Sequence, residues 1–485
     1  MQLQSFFGKK RTATSRLPPG PREPAAVQAF RFGRDPYKYL ADCEREHGDT
    51  FSFRLPGDPV RVITSNAEYL KQIFALRPDQ FCAALQSMHM NLGSSSVVFL
   101  DGERHRRVRK VLHPPIQGEA LASYLPDMAR VVDDAVSRWP RNSEFVLRQP
   151  LLDVSLDILL ETVFGALAPE RRDQIRRAAE RWLSGILSRG MFMISMATTA
   201  NRLRRVLDRL VDVELSGALM GFERLLPFAE LTHDKAALVR LLREELARVR
   251  SDSEGRSDLL ARLSVGRYED DTPLEDETII DQLVSVLVGG HETTASSLGW
   301  CFHHLLRHPL ALARAVDEAR STPVPKLLLE EDTPYLSACV LESMRLTPVA
   351  IATGRTLTKP LSLGPYQLEP GTIVWPAFSL SQRRAASWVD PDAFDPERFL
   401  EKGAATPTTF MPWGGGVRRC PGATFSALEM RVVLARVLAA LDLGSTSKSV
   451  PPPQFAGLTV VPGDGVPVVA HAPAATAAVA ATATV

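Results

Sequence analysis

From about residue 101 to residue 350, apolar residues recur at three- and four-residue steps almost without a break, the period of helices lying with one face on a core. The spacing predicts helices over residues 36–47, 278–306, 336–346 and 423–441, with another opening at Asp101. Ahead of the helical stretch the period shortens to two and β-branched residues accumulate at 50–54 and 60–64, either side of a Pro-Gly-Asp turn, which predicts two short strands. Strands are expected again at 371–374 and 458–461. Between 385 and 422 Pro and Gly gather in a connection long for a compact domain, and such loops tend to carry function. The pattern therefore predicts a mainly α fold with a small β region. No internal repeat, Gly/Ser linker or charge run interrupts residues 30–460. One domain over 18–469 is expected, entered through the stiff Pro18-Pro19-Gly20-Pro21. A disordered arm (1–17) and a low-complexity tail (470–485) of Ala, Thr, Val and Pro flank it.

Composition changes this picture little. A chain of 485 residues with 45% hydrophobic content can bury a large core. Fifty-seven basic residues against 56 acidic leave a net charge of +1, so bulk charge selects neither nucleic acid nor an acidic partner. The five cysteines (Cys43, Cys82, Cys301, Cys339, Cys420) lack paired spacing. That argues against a disulfide framework and for a reducing compartment, the cytoplasm. The first twenty residues lack the apolar run of about 18–20 residues that spans a bilayer, and a signal-peptide core. No transmembrane anchor is expected, and Phe6, Phe7, Lys9 and Lys10 read as a frayed terminus.

Candidate chemistry concentrates in residues 410–422, Phe-Met-Pro-Trp-Gly-Gly-Gly-Val-Arg-Arg-Cys-Pro-Gly. Three consecutive glycines permit positive φ and let backbone approach a flat ligand closely. Cys420 stands just before the predicted 423–441 helix, where unpaired N–H groups and the helix dipole favour a thiolate. Arg418 adds a positive charge that can fork onto a carboxylate. A lone intracellular cysteine is otherwise a small buried hydrophobe; the glycines, the arginine and the helix start together favour the ligand reading.

The predicted 278–306 helix holds a second feature, Gly289-Gly290-His291-Glu292-Thr293-Thr294. Two glycines inside a helix cost roughly 1 kcal/mol each relative to alanine, and one alternative is a helix–helix contact with Glu292 solvated. The other is functional. Thr293 lies four residues after Gly289, so its hydroxyl can bond that carbonyl and bend the helix open. Glu292 and Thr293 then offer an acid and an alcohol that relay protons. His291 should point away and pack.

Phe410, Gly414, Gly416, Arg418, Cys420 and Gly422 resemble the haem-binding loop of the cytochrome P-450 superfamily. The resemblance implies that fold over residues 18–465, with haem b held by an axial Cys420 thiolate, an arrangement suited to activating dioxygen. It implies that Glu292 and Thr293 are the catalytic acid–alcohol pair. It makes His105, Arg109, Arg355 and Arg418 partners of the haem propionates, with Gly289, Phe410, Trp413, Gly414 and Gly422 also against the haem. Trp413 departs from the usual Phe, and two readings stand for it: an indole N–H near the thiolate that withdraws charge, or packing alone. Glu342 and Arg345 share a helix face at i, i+3. Pro391-Asp-Ala-Phe394-Asp-Pro396-Glu-Arg398-Phe399 matches the family stretch that pairs with them, so Glu342, Arg345 and Arg398 are expected to form a buried network locking the loop. Ser381-Gln382-Arg383 stands where the family often has His-Arg, and Gln382 is given no role.

Met88, Met90, Ser285, Val288, Ile351 and Ala352 are the candidate substrate contacts, with Leu187, Met191, Phe192, Met193 and Met196 adding apolar surface, though methionine stripes are often core filler. A hydrophobic substrate is expected: a terpenoid, steroid, fatty acid or polyketide-like molecule. No flavin or iron–sulfur motif occurs, so electrons would come from a ferredoxin-type donor and its reductase, docking on Arg104, Arg106, Arg107 and Lys110 of the thiolate face. A monomer is expected. Two alternatives are a peroxygenase or rearrangement enzyme, which would not need the Glu292–Thr293 pair, and a haem-binding protein without turnover.

Overall fold

The structure, a computed structural model, describes residues 16–56, 59–83, 92–187, 227–252, 255–401, 403, 405–447, 449–450, 452–457 and 459–473. In chain order the helices are α1 (Ala25–Arg34), α2 (Pro36–His47), α3 (Ala67–Phe74), α4 (Gly102–Leu112), α5 (Glu119–Ser137), α6 (Arg148–Phe164) and α7 (Pro169–Ile186). They continue with α8 (Pro227–Ser251), α9 (Leu259–Ser264), α10 (Asp276–Leu305), α11 (Pro309–Ser321), α12 (Pro334–Leu346), α13 (Phe378–Ser381) and α14 (Ala423–Ala440). Among the described residues no helix is long and apolar enough to cross a membrane.

Local chemistry sets the ends of these elements. Asp35 caps α2 by accepting the Lys38 N–H at 3.0 Å, Pro36 opens the helix, and Gly48 at φ 89° ends it. The 30-residue α10 is buried on all sides along much of its length, so it runs through the interior as a central rod. It packs on α6, α12 and α14, while α14 packs on α5 and α11. These helices share one apolar core that includes Leu159, Leu283, Leu287, Phe302 and Leu434.

Strands gather at one side. β1 (Thr50–Phe53), β2 (Arg61–Thr64), β3 (Phe81–Ala83), β5 (Arg355–Leu357) and β8 (Ile373–Pro376) form a sheet of order β1-β2-β8-β5-β3, in which only β2 and β8 run parallel. Arg355 sits opposite Ala83 on one side and Val374 on the other, which fixes its place in the sheet. β4 (Glu144–Val146), β12 (Pro467–His471) and β9 (Asp442–Ser445) form a second sheet, and β10 (Pro453–Ala456) with β11 (Thr459–Pro462) a hairpin turning at Gly457. The short antiparallel pair β6 (Leu361–Leu363) and β7 (Tyr366–Leu368) completes the set.

Both expected chain ends are shifted. The tail was expected from residue 470, but β12 runs to His471, with Ala470 fully buried opposite Leu443. At the other end Arg16 pairs with Gln367 through two backbone bonds of 3.2 and 3.0 Å, so the expected arm does not extend to residue 17. Composition did not show these pairings, since Gln367 and β4, partners of Arg16 and β12, lie far away in sequence.

Candidate functional site

The loop ahead of α14 closes on itself where the Cys420 N–H donates to the Trp413 carbonyl at 2.8 Å. Gly414 (φ 73°) and Gly416 (φ 65°) take the left-handed conformation that makes this turn, which an L side chain would strain. The run of three glycines serves protein packing more than the sequence suggested. A Cβ on Gly415 would come within 2.7 Å of the Phe74 ring, and one on Gly416 would strike the Phe74 carbonyl. Close backbone approach is therefore made to the end of α3, and only Gly414 has no protein atom nearer than 3.6 Å to a built Cβ.

Cys420 alone of the five cysteines is exposed. Surrounding protein desolvates its sulfur and pushes the thiol up; the Gly422 N–H, Arg109 and Arg419 pull it down without reversing the shift. α14 begins at Ala423, as expected, and among the protein groups alone desolvation outweighs the pull of the helix start on the sulfur. A thiolate here needs a bound positive partner, as a metal ion provides.

Cationic groups converge beside the sulfur. On α4, His105 and Arg109 share a face; His105 is buried, and burial followed by the charges of Arg418 and Arg109 pushes it down to about 3, so it is neutral. Arg109 donates to the Arg419 carbonyl at 2.6 Å. Arg355 donates to the Gly415 carbonyl at 2.7 Å, while its Nε and Nη1 are buried with no partner. Burial, then the charge of Arg418, brings Arg355 down to about 10, still charged at neutral pH. Arg418 pairs with Asp101 at 2.5 Å and donates to the carbonyls of Leu100 (2.5 Å) and Val97 (3.4 Å), leaving its Nε buried and unpaired. Phe81 lies between the two guanidiniums, 5.3 Å from Arg355 and 5.9 Å from Arg418, which eases their proximity through ring faces. Leaving these three donor nitrogens buried and unmet costs about 1–3 kcal/mol each. An anionic group bound there satisfies them, so these residues fit a haem carrying two propionates.

On α10, the Thr293 hydroxyl donates to the Gly289 carbonyl at 2.5 Å. The two helix glycines do different work. A Cβ on Gly289 would meet nothing within 4 Å, whereas one on Gly290 would press on Leu159 of α6 at 2.9 Å. Gly289 therefore borders open space, and Gly290 allows helix–helix contact. The Glu292 side chain is buried, 3.5 Å from the Arg148 guanidinium of α6, with the tip of the β10–β11 hairpin at Gly457 close against its carboxylate. Sequence reading missed Arg148 because nothing local marks it. His291 packs against α6 near the Leu152 carbonyl and is pushed down to about 4 by burial.

Behind the cysteine loop, every N–H of the Arg345 guanidinium is used. Nε and Nη2 bond Glu342 (2.6 and 2.8 Å), Nη1 bonds the carbonyls of Gln382 and Pro391 (2.9 and 2.7 Å), and Nη2 bonds Ala393 (3.0 Å). Arg398 reaches Glu342 at 3.2 Å. Gln382, given no role from sequence, ties this network to the cysteine loop: its amide donates to the carbonyls of Met344 and Arg345 (3.0 and 3.2 Å) and accepts the Met411 N–H at 2.8 Å. Rings continue the link from Trp388 over Arg345 through Phe399 and Phe410 to Trp413. The Trp413 indole N–H donates to Ser426 Oγ at 3.0 Å, so the expected pull on the sulfur is corrected: that N–H is spent elsewhere.

Of the expected substrate contacts, Met88, Met90, Met191, Phe192, Met193 and Met196 lie outside the described residues. The Ser285 hydroxyl bonds Ser96 Oγ at 2.7 Å and the Asp281 carbonyl at 2.5 Å, so it braces the 92–101 segment and is not free for a ligand. Ile351 packs among Phe32, Tyr39 and Trp300, and Ala352 bridges to Ala377. Val288 is buried on α10. The basic face of α4 is largely neutralised within the chain: Arg106 pairs with Glu103 and Glu269, Lys110 with Glu269 and Arg107 with Asp270. Arg104, Val417 and Arg419 remain exposed there.

Comparison with known proteins adds an independent line. The family model described as cytochrome P-450 matches residues 18–465. Cytochrome P-450 135B1 of Mycobacterium tuberculosis is 32% identical over 457 residues, covering 94% of this chain and 91% of that one. Cytochrome P-450 135A1 of the same organism is 29% identical over 461 residues, covering 94% and 95%. Among solved structures, one titled "Retinoic acid bound cyanobacterial CYP120A1" superposes with a TM-score of 0.77 at 23% identity, covering 95% of this chain and all of that one, a likeness of fold.

Proposed function

The chain belongs to the cytochrome P-450 family and is a haem-thiolate monooxygenase, and on that premise we propose how its own residues divide the work. The haem, when bound, supplies the iron that activates dioxygen so that one oxygen atom enters a substrate. Cys420 would supply the thiolate that holds the iron. Arg109, Arg355 and Arg418 hold the propionates as fixed cations, and His105 packs beside them neutral. Gly289 borders open space that would leave room beside the haem, with Val288 and Ala352 bounding the substrate space. Thr293, anchored to the Gly289 carbonyl, presents a hydroxyl there. Glu292 shuttles protons between solvent and Thr293 by exchanging its contact with Arg148. Glu342, Arg345, Arg398 and Gln382 fix the loop behind the sulfur.

The cofactor is haem b. The substrate is a hydrophobic small molecule of the terpenoid, steroid, fatty-acid or polyketide class. A ferredoxin-type protein supplies electrons, meeting the thiolate face at Arg104, Val417 and Arg419, since the other α4 cations are already paired. The chain acts as a cytoplasmic monomer.

One observation carries the site assignment: Cys420 is exposed in a loop whose own Arg418, and Arg355 bonded to its Gly415 carbonyl, keep buried, unpartnered nitrogens. The ferrous–CO spectrum of the purified protein tests it. The Soret band is expected at the red-shifted position of thiolate ligation and lost from that position in Cys420→Ala. A red-shifted band that survives the substitution overturns the ligand assignment.

A further inference from the structure

We propose that Asp101 is a positioning residue whose carboxylate sets the charge and orientation of Arg418 at the haem edge and so tunes the reduction potential of the iron. This rests on the haem-thiolate reading above.

The first observation is what Asp101 does not do. It occupies the N-cap of α4 in extended conformation (φ −121°, ψ 163°), yet its side chain makes no capping bond. Aspartate at this position ordinarily caps, contributing about 1 kcal/mol. Here the carboxylate turns away from the helix. It accepts the Ala83 N–H at 2.9 Å and the Arg418 Nη2 at 2.5 Å. One side chain thus joins the end of β3, the start of α4 and the cysteine loop.

The second observation is the charge around it. Among the described residues, Asp101 is the only carboxylate paired with any of Arg109, Arg355 and Arg418. Three guanidiniums against one carboxylate leave two positive charges, and a haem brings two propionates. With His105 neutral the assembled site balances. Asp101 and the carbonyls of Leu100 and Val97 engage only the Nη atoms of Arg418, which leaves Nε as its unpaired donor. The carboxylate therefore both neutralises the third cation and chooses the edge that Arg418 offers. Poorly screened in this buried setting, an extra positive charge favours the ferrous state.

The test uses the full-length holoprotein and the midpoint potential of its ferric–ferrous couple. Asp101→Asn removes the charge at constant size, and the potential is expected to shift upward. Asp101→Ser gives α4 a good cap without a charge, so it guards against a folding failure, and the same upward shift is expected. The shift should vanish when either change is made in an Arg418→Gln background. A purely structural Asp101 would alter the urea midpoint and leave the potential unmoved. An unchanged potential in both variants, or a shift that persists without Arg418, overturns the proposal. Failure of the underlying reading is separate: it shows in the wild-type ferrous–CO spectrum before any variant is made.

Discussion

Cys420 and Arg418 were legible as single residues because their chemistry depends on residue type and a local glycine-rich setting. Trp413 was legible as a departure but not in its consequence. Its indole could have faced the sulfur, and only the placement of Ser426 on α14 shows where the proton goes. Trp413→Phe is therefore expected to leave the midpoint potential close to wild type and cost about 1 kcal/mol of stability from the lost hydrogen bond. Potentiometry with urea unfolding reads both quantities, and a large potential shift would contradict the bond to Ser426. Asp101, Arg148 and Gln382 were not legible, since each acts on a distant partner: Arg418 is 317 residues from Asp101, Glu292 is 144 from Arg148 and Met411 is 29 from Gln382.

At the scale of elements, adjacent glycines of α10 carry opposite expectations. Gly289→Ala gains about 1 kcal/mol of helix propensity and meets no protein atom within 4 Å, so the apoprotein should be stabilised while haem affinity falls. Gly290→Ala gains the same propensity but drives a methyl to 2.9 Å from buried Leu159, and overpacking of about 1–3 kcal/mol outweighs it. Thermal unfolding of the two apoproteins with haem titration checks the signs; equal behaviour would deny the division of labour. Gln382→Ala strands the Met411 N–H and removes the donor to two α12 carbonyls. A loss of about 2–3 kcal/mol and faster haem transfer to an acceptor apoprotein are expected. Unchanged transfer would mean that Gln382 does not brace the cysteine loop. Helix periods predicted α2, α10, α12 and α14 well because apolar residues recur at helical spacing in each, along one stripe in α2 and nearly all round in the other three. The pairing of β3 with β5, which seats Arg355 beside Ala83, was unreadable because sheet partners are chosen across long sequence distances.

Buried histidines give the whole molecule a defined pH response. Burial pushes His105 down to about 3, His291 and His303 to about 4, and His304 well below its ordinary range. In the fold they stay neutral as pH falls, whereas in the unfolded chain they take up protons near pH 6.5. Unfolding then binds protons, so stability is lost as pH falls below 6.5, by about 1.4 kcal/mol per pH unit for each histidine. Buried Glu429, pushed up to about 8, works the other way and offsets about one of the four; Asp281 and Glu44, also raised by burial, add to that offset. Urea midpoints of the apoprotein should decline steadily from pH 7 to pH 5. A flat profile would show that these histidines gain protons within the fold.

By itself the sequence determined the period of its helices, the order of its motifs and which cysteine stands in the glycine-rich loop, because these depend on residue type and short-range spacing. Tertiary structure decided everything that needed two distant segments to meet. It put Phe74 against the loop glycines, so part of the glycine run answers to packing. It set Arg148 beside Glu292, turned Asp101 from its helix to Arg418, and paired the α4 cations with Glu269 and Asp270. Charge and hydrogen-bonding capacity are written in each side chain, but which partner satisfies them is a property of the packed chain.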